Sequence, residues 1–520
     1  MRRSSWTGWL CLAFLTVSGA LAAASCENTA GQCELTAECT GAPGVPPGAC
    51  DPNVTNDPIP EICGVFASAA ASADGVGSRD KPFPTLAQAI NAATTKGTRV
   101  VYACAETFAE AVVLPSGLTV YGGLDCANGW ILDPAARTTL EPASGVPLTF
   151  ETGNPIHVEN VRALAPPGTP PDPGAADPLS GGTSIAALAE PGSKIDLQRC
   201  DLVAGDGADG QAPSPVSPAE LPAAEDGAPG DDGCLPGLTG NGGPGGQTTC
   251  EGRSTEGGKG GVGGDNVDGP GPSGAEGTPA GSGGDGGMGQ PDMAGMCTEG
   301  MPGAAGSPGA PGQGPSLTSA LLNPVTRKGI PGEEGKPGSP GAGGGGGGGG
   351  VGCSLGGALR GAAGGGGGAG GCGGAPGKGG GAGGSSIALW AVGAAVSLGE
   401  TTLTAGKGGA GAAGGAGQKG GPGGKGGAPG ALFAGEPTAA CKGGDGGKGG
   451  DGGPGGGGQG GSSIAVVWKG TPPIATSATL TPGQPGAGGP GGAAAPATSK
   501  GADGLACPSY DTAAGACQSM

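Results

Sequence analysis

The sequence predicts an all-β protein. It reads as a coil or sandwich of short strands behind one helix, interrupted by long glycine-rich inserts. Three observations carry this. Between residues 64 and 165, short apolar runs rich in β-branched residues alternate with Gly, Pro and Asp turns. A Ser-Ile-Ala step recurs at Ser184, Ser386 and Ser463, each time followed by two short apolar segments and a return to glycine. Between these islands glycine falls at every third residue.

Composition bounds the rest. Of 520 residues, 130 are Gly and 51 Pro, and aromatics make up 3%. Glycine has no side chain to bury and loses much entropy on ordering, so large parts of the chain form no ordinary core. A formal net charge of −19 argues against nucleic acid or an anionic membrane as partner and fits a soluble, exported surface.

Residues 1–24 read as a secretory signal. Arg2 and Arg3 form the charged start, Trp9 to Val17 the apolar run, and Ala20-Leu21-Ala22 or Ala22-Ala23-Ala24 the cleavage site. No later apolar run is longer, so no transmembrane segment is expected in the mature chain. A rival reading lipidates Cys26 and anchors an outer-membrane lipoprotein, although a lipobox usually carries Leu where Ala23 stands. Of 17 Cys, Cys11 leaves with the signal. The other sixteen are even in number, as disulfides in an oxidising compartment require: Cys26, Cys33, Cys39, Cys50, Cys63, Cys104, Cys126, Cys200, Cys234, Cys250, Cys297, Cys353, Cys372, Cys441, Cys507 and Cys517. No CxxC or Cys/His spacing supports zinc or redox chemistry, and no cofactor is expected.

Residues 25–63, with five Cys among Gly, Pro, Asn and Asp, read as a disulfide-stapled knob. Five is odd, so one of them is expected to pair further on, with Cys104 or Cys126 as candidates. Val65-Phe66-Ala67 is a first strand. Phe83, Leu86, Ala87, Ala89, Ile90 and Ala93 fall at helical spacing, with Thr85 as N-cap and Gly97 as the stop. Strands are expected at Val100 to Ala103, Ala111 to Leu114, Leu118 to Tyr121, Thr138 to Leu140 and Val146 to Phe150.

The stretch GVFASAAASADGVGSRDKPFPTLAQAINAATTKGTRVVYACAETFAEAVVLPSGLTVYGG resembles the start of a right-handed parallel β-helix of the pectin-lyase-like superfamily. The shared pattern is a Gly-Ser loop, Pro-Phe-x-Thr-Leu-x-x-Ala-Ile, a strand, and a Gly-Leu-x-Val-x-Gly-Gly rung. The resemblance covers residues 64 to 165 well and implies that the helix caps the open end of the coil. The whole chain also resembles glycine-rich, PGRS-like proteins of myxobacteria, a likeness of composition that implies no activity.

Four eleven-residue segments align without gaps: Ile156 to Pro166, Ile195 to Gly205, Val396 to Gly406 and Pro473 to Gly483. Their third positions are Val158, Leu197, Leu398 and Ala475, and their eighth Ala163, Leu202, Leu403 and Leu480. Fixed small or apolar offsets are what stacked rungs require. The expected division is a capped coil over 64–204, inserts over 205–383 and 406–460, rungs over 384–405 and 461–482, and a Gly/Ala/Pro-rich tail over 483–520. Cys507 and Cys517 can close the tail as a loop. The inserts leave the coil at one corner and are expected to lie side by side.

Gly443, Gly446, Gly449, Gly452, Gly455, Gly458 and Gly461 keep an unbroken three-residue period, which matches a polyproline II-type helix. Two such helices can approach until their backbones hydrogen-bond, giving a polyglycine-II packing stapled by the insert Cys. The alternative is a flexible, disordered linker. Gly300 to Gly312 and Gly329 to Gly341 read as collagen-like triplets but are short and interrupted by Leu317 to Lys328.

The candidate chemistry is sparse. The lone His157 sits on an alternating strand and reads as structural or surface. Glu225-Asp226 and Asp231-Asp232 read as solvated turn formers, and Arg99, Arg137, Arg162 and Arg199 as scattered. Gly260 to Asp268 fits one calcium-binding nonapeptide but stands alone. No catalytic, cofactor or metal residue is assigned. The Asp445, Lys448, Asp451 ridge reads as solubility and register control. The expected protein is secreted or on the cell surface, non-enzymatic, and structural or adhesive. Its partners would be surface polysaccharide or other matrix components. The alternatives are a carbohydrate-active β-helix enzyme, a lyase or hydrolase, and an ice- or crystal-surface-binding protein.

Overall fold

The structure is a computed structural model that describes residues 48–216, 221–250, 252–265, 269–316, 329–354, 359–431 and 439–519. The expected signal, Cys26, Cys33, Cys39 and the 317–328 interruption lie outside the described residues.

The body is mostly parallel β-sheet. Among the described residues there is one α-helix, Leu86–Lys96. Thr85 caps it by accepting from Gln88 N–H, and Gly97 ends it in the left-handed region. Its Leu86, Ala89, Ile90 and Ala93 pack into the core at the first strands.

Three sheets carry the body. The first runs Val65–Ala67, Val100–Cys104, Thr119–Asp125, Ile156–Glu159, Lys194–Gln198, Ala395–Gly399, Ile474–Thr476. The second runs Thr107–Phe108, Thr138–Leu140, Val161–Leu164, Asp201–Val203, Thr402–Thr404, Thr479–Thr481. The third runs Val112–Leu114, Leu148–Phe150, Ser184–Ala189, Ser386–Val392, Ser463–Lys469, Ala506–Asp511. From Val100 onward the chain visits first, second and third sheet in repeating order, and the strands named above pair in parallel with the one laid down a turn earlier, while Ile131–Leu132 and Ala516–Gln518 pair antiparallel with Thr119–Asp125 and Ala506–Asp511. This order is compatible with a β-helix-like coil.

The register follows the gapless alignment. Val158, Leu197, Leu398 and Ala475 are consecutive partners, as are Ala163, Leu202, Leu403 and Leu480. Val158, Leu197, Leu398, Ala163, Leu202 and Leu403 are buried and stack on one another, while in the last turn Leu480 is partly buried and Ala475 exposed. The fifth position of each segment, Asn160, Arg199, Glu400 or Ser477, has positive φ. A left-handed residue there turns the chain from the first sheet to the second.

The tail departs from expectation. Residues 483–505 join the glycine-rich part, and Ala506–Asp511 adds a strand to the third sheet against Ser463–Lys469. It escaped detection because Ala506-Cys507-Pro508 stands where the other copies read Ser-Ile-Ala.

The inserts lie side by side and bond through their backbones at every third residue. Gly443, Gly446, Gly449, Gly452 and Gly455 N–H donate to Gly427, Gly424, Gly421, Gln418 and Gly415 carbonyls at 2.8–3.0 Å. The next class, Gly444, Gly447, Gly450, Gly453 and Gly456, donates to Gly345, Ala342, Ser339, Lys336 and Glu333. The third class, Asp445, Lys448, Asp451 and Pro454, points outward until Gly457 and Gly460 donate to Ser499 and Ala502. Glycine thus replaces the side chain at the level where the tail arrives.

Gly343–Gly350 is buried along its whole length. Its N–H groups donate in rotation to 272–278, 362–368 and 298–301, and its carbonyls accept in rotation from 284–290, 258–264 and 441–444. Six segments therefore surround it, and no face is left for a Cβ. An added Cβ at Gly345, Gly346 or Gly348 would sit 2.0–2.1 Å from a backbone oxygen.

Candidate functional site

Two places gather polar chemistry: the corner where the inserts leave the sheets, and the outer face of the first sheet.

The corner is built by the serine of each Ser-Ile-Ala step. Ser184 Oγ donates to Pro166 O at 2.7 Å and accepts from Gly205 N–H at 2.9 Å. Ser386 Oγ does the same with Gly205 O and Gly406 N–H, both at 2.7 Å. Ser463 Oγ does so with Gly406 O at 2.6 Å and Gly483 N–H at 2.7 Å. Each hydroxyl ties the exit of its own turn to the exit one turn earlier. A small side chain with both a donor and an acceptor is what a buried corner between two glycine carbonyls and amides needs. This explains why serine begins each copy.

Three disulfides staple the glycine-rich segments: Cys234–Cys353, Cys250–Cys372 and Cys297–Cys441. Cys507–Cys517 closes the tail loop. Cys50 pairs with Cys63, and Cys104 with Cys126. The expected link from the knob to Cys104 or Cys126 is therefore replaced by a local bridge on each side. Cys200 is a further correction: it is a free thiol, fully buried, with Sγ 3.4 Å from Val158 O and 3.3 Å from Gln198 O. It fills the core between turns where no second Cys comes near among the described residues, and burial pushes its pKa up to about 12.

The acidic pairs of the insert are not turn formers. Asp226 and Asp232 Oδ1 accept from Lys425 and Ala431 N–H at 2.6 and 2.7 Å. Glu225 Oε2 accepts from Gln247 N–H and Asp231 Oδ2 from Asn241 N–H. Asp445, Asp451 and Asp503 accept in the same way from Gly426, Gly420 and Gly488 N–H at 2.8–2.9 Å. These backbone bonds, with help from Lys442, Lys448 and Lys500, hold the three carboxyls below their ordinary pKa. At the edge of the bundle, where a neighbouring carbonyl is missing, a carboxylate takes its place. Within the nonapeptide-like stretch, Gly261 and Gly264 donate to Gly347 and Gly350, while residues 266–268 lie outside the described residues.

The outer face of the first sheet brings together residues that the sequence left apart. His157 and Asp196 are register partners, with His157 Nδ1 2.8 Å from Asp196 Oδ2. Glu159 is buried at 3% exposure. It pairs with the Arg199 guanidinium, accepts from Asn53 Nδ2 at 2.9 Å and lies 3.4 Å from His157 Nε2. Gln198 Nε2 donates to Asp196 Oδ1 at 2.7 Å. The His157 hydrogen bond, outweighing partial burial, holds the Asp196 carboxyl below its usual range. Phe66, Tyr102, Tyr121 and His157 form an aromatic ladder beside this group, with centroids 5.3–5.8 Å apart. Residues 48–63 cover its start: Tyr102 O–H donates to Cys50 O, and burial pushes the Tyr121 hydroxyl up to about 12. Arg137 pairs separately with Asp201.

The sequence signal for this group was available. His157 and Asp196 share the second position of the aligned segments, and Glu159 and Gln198 the fourth, so all point outward on neighbouring turns. Among the described residues no group of His, Cys, Asp and Glu is arranged to hold a metal ion. No described helix is long and apolar enough to cross a membrane.

Comparison with known proteins adds no constraint: no family model, curated protein or solved structure matches the chain.

Proposed function

We propose that the chain is an exported, non-enzymatic surface or extracellular-matrix protein with a structural or adhesive role. Its sheets form a right-handed parallel β-helix of the pectin-lyase-like kind, and its inserts a polyglycine-II bundle hung from one corner. The observation that carries this reading is the fully surrounded Gly343–Gly350 segment, bonded on every side through backbone alone. Such a body is rigid without a side-chain core, and three disulfides tie its distant segments together. Six disulfides among the described residues suit an oxidising extracellular setting. In this reading the first 24 residues direct export, with lipidation at Cys26 as the route to an outer-membrane anchor.

One observation favours a second reading, a carbohydrate-active enzyme: Glu159 and Asp196 share one sheet face with His157. Against it, each carboxylate is already held by neighbours of the same chain, Glu159 by Arg199 and Asn53, and Asp196 by His157 and Gln198. A ligand would have to displace them. The test incubates the oxidised, mature protein with insoluble matrix polysaccharide. Co-sedimentation without new reducing or unsaturated sugar ends is expected. Release of such ends, abolished in Glu159→Gln, would establish the enzyme instead.

A further inference from the structure

We infer that the glycine-rich bundle has a lane, vacant among the described residues, that takes an extended peptide carrying glycine at every third residue. The segment 256–264 shows what fills such a lane. It lies between 361–367 and 344–350, donating from Gly258, Gly261 and Gly264 to Gly344, Gly347 and Gly350. It also accepts from Gly361, Gly364 and Gly367. Toward the sheets this segment stops at the hairpin Gln247–Cys250 and Arg253–Glu256, where Thr255 Oγ1 donates to Gly370 O. The two walls continue without it.

Beyond that point the same classes of backbone group carry no partner among the described residues. On one wall they are the N–H groups of Gly373 and Gly379, in step with Gly361, Gly364 and Gly367. On the other they are the carbonyls of Gly335 and Gly338, in step with Gly344, Gly347 and Gly350. The adjoining positions are proline: Pro376 on the first wall, Pro337 and Pro340 on the second. Proline has no N–H, so it suits a backbone face that no neighbour covers, and its fixed φ keeps the three-residue helix in shape. The start of the lane is an open groove of about 530 Å³, bordered by Leu221, Arg253, Pro337, Pro340, Gly373 and Gln418.

Donors and acceptors thus stand at three-residue spacing on facing walls, as a direct continuation of an interface the chain already makes with itself. At ~3.1 Å per residue, Gly373 to Gly379 spans about 19 Å, room for roughly two triplets. The occupant must be glycine at the class that faces the first wall, because a Cβ at Gly257, Gly260 or Gly263 would stand 1.8–2.0 Å from the Gly367, Gly364 or Gly361 carbonyl oxygen. Its other positions face the groove and solvent, so they tolerate side chains. A glycine-period polypeptide supplied in trans, from another matrix protein or another copy, meets these terms; a polysaccharide has no matching amide period. This deepens the matrix reading by naming a partner class.

The test uses the full mature protein with its disulfides intact and a fluorescein-labelled twelve-residue peptide of Gly-Gly-Lys repeats. The control peptide has the same composition with the period broken. Saturable binding of the periodic peptide is expected, at least about tenfold tighter than the scrambled one. Pro337→Trp, at an exposed position on the lane wall, should weaken it at least about tenfold while leaving the melting curve and disulfide map unchanged. Lys448→Trp, on a different outward ridge, should leave binding as it is. Equal binding of both peptides, or full binding by a folded Pro337→Trp protein, overturns the lane. Those outcomes are independent of whether the protein sediments with polysaccharide, so the two readings fail separately.

Discussion

Alanine substitution along residues 446–451 should report a three-residue period in stability. Gly450 donates to Ser339 O and accepts from Gly374 N–H, both at 2.9 Å. An alanine Cβ there would stand 2.0 Å from Ser307 O and 2.4 Å from Ser307 C. Ordinary C···O contacts lie at about 3.3 Å or more, so a backbone must move by over ~1 Å. A shift of that size breaks both hydrogen bonds, each costing roughly 1–3 kcal/mol when the groups stay buried. Alanine recovers roughly 0.4–1 kcal/mol by restricting the unfolded chain. The net loss is about 1–5.6 kcal/mol. Lys448→Ala, on the outward class, should change stability by no more than ~0.5 kcal/mol. Amide exchange at Gly374 and at the Ser339 stretch reads the difference, as a rise of roughly fivefold to about ten-thousandfold in Gly450→Ala. A flat profile, with Gly450→Ala indistinguishable from Lys448→Ala, would refute the bundle and leave a flexible linker.

Four further outcomes follow from the same geometry. Ser386→Ala removes a hydroxyl that bonds Gly205 O and Gly406 N–H, and should cost ~1–3 kcal/mol in denaturant unfolding, whereas a surface serine such as Ser254 should cost almost nothing. Cys250→Ser with Cys372→Ser opens a bridge spanning 122 residues and should lower stability by about 2–5 kcal/mol, seen as a lower melting temperature that reducing agent no longer shifts as far. The Asp451 carboxyl has its folded pKa below its ordinary 3.8, so its contribution is present above that value and lost as pH falls through the lower folded one; the Gly420 amide resonance should titrate with a midpoint below 3.8. Asp196 is depressed in the same direction by His157, and Asp196→Asn should remove the acid-side loss of stability assigned to that pair.

The rungs were legible because their information is local and repeated. Four aligned segments fix inward and outward positions, and the serine start marks each new turn. The outer-face group was hidden because His157, Glu159, Asp196 and Arg199 acquire meaning only when two turns are stacked. Arg199 reads as a lone charge until it lies on Glu159. The strand Ala506–Asp511 was hidden because its pairing comes from stacking on Ser463–Lys469, not from its own pattern. The Cys pairings bridge segments 119–144 residues apart and depend on which segments become neighbours.

The glycine-rich part is a different case, because its sequence encodes a neighbour count that can be read once the lattice is known. A residue class that faces another backbone is mostly glycine, with small residues such as Ala363 and Ala369 buried among them, and a class that faces solvent takes Pro, Lys, Asp or Ala. Class membership changes along a single segment. The class of Pro331, Glu334, Pro337 and Pro340 becomes glycine at Gly343, the level at which Gly343 N–H meets Thr278 O. The class of Asp445, Lys448, Asp451 and Pro454 becomes glycine at Gly457, where Ser499 O arrives. These switches cannot be produced by a linker under selection for flexibility alone, since a linker gains nothing from placing glycine by level. They also imply that insertion of one residue into Gly343–Gly350 is worse than any single substitution. It would rotate every later class by a third of a turn, turning Pro and Lys classes inward against backbone that has room for hydrogen alone.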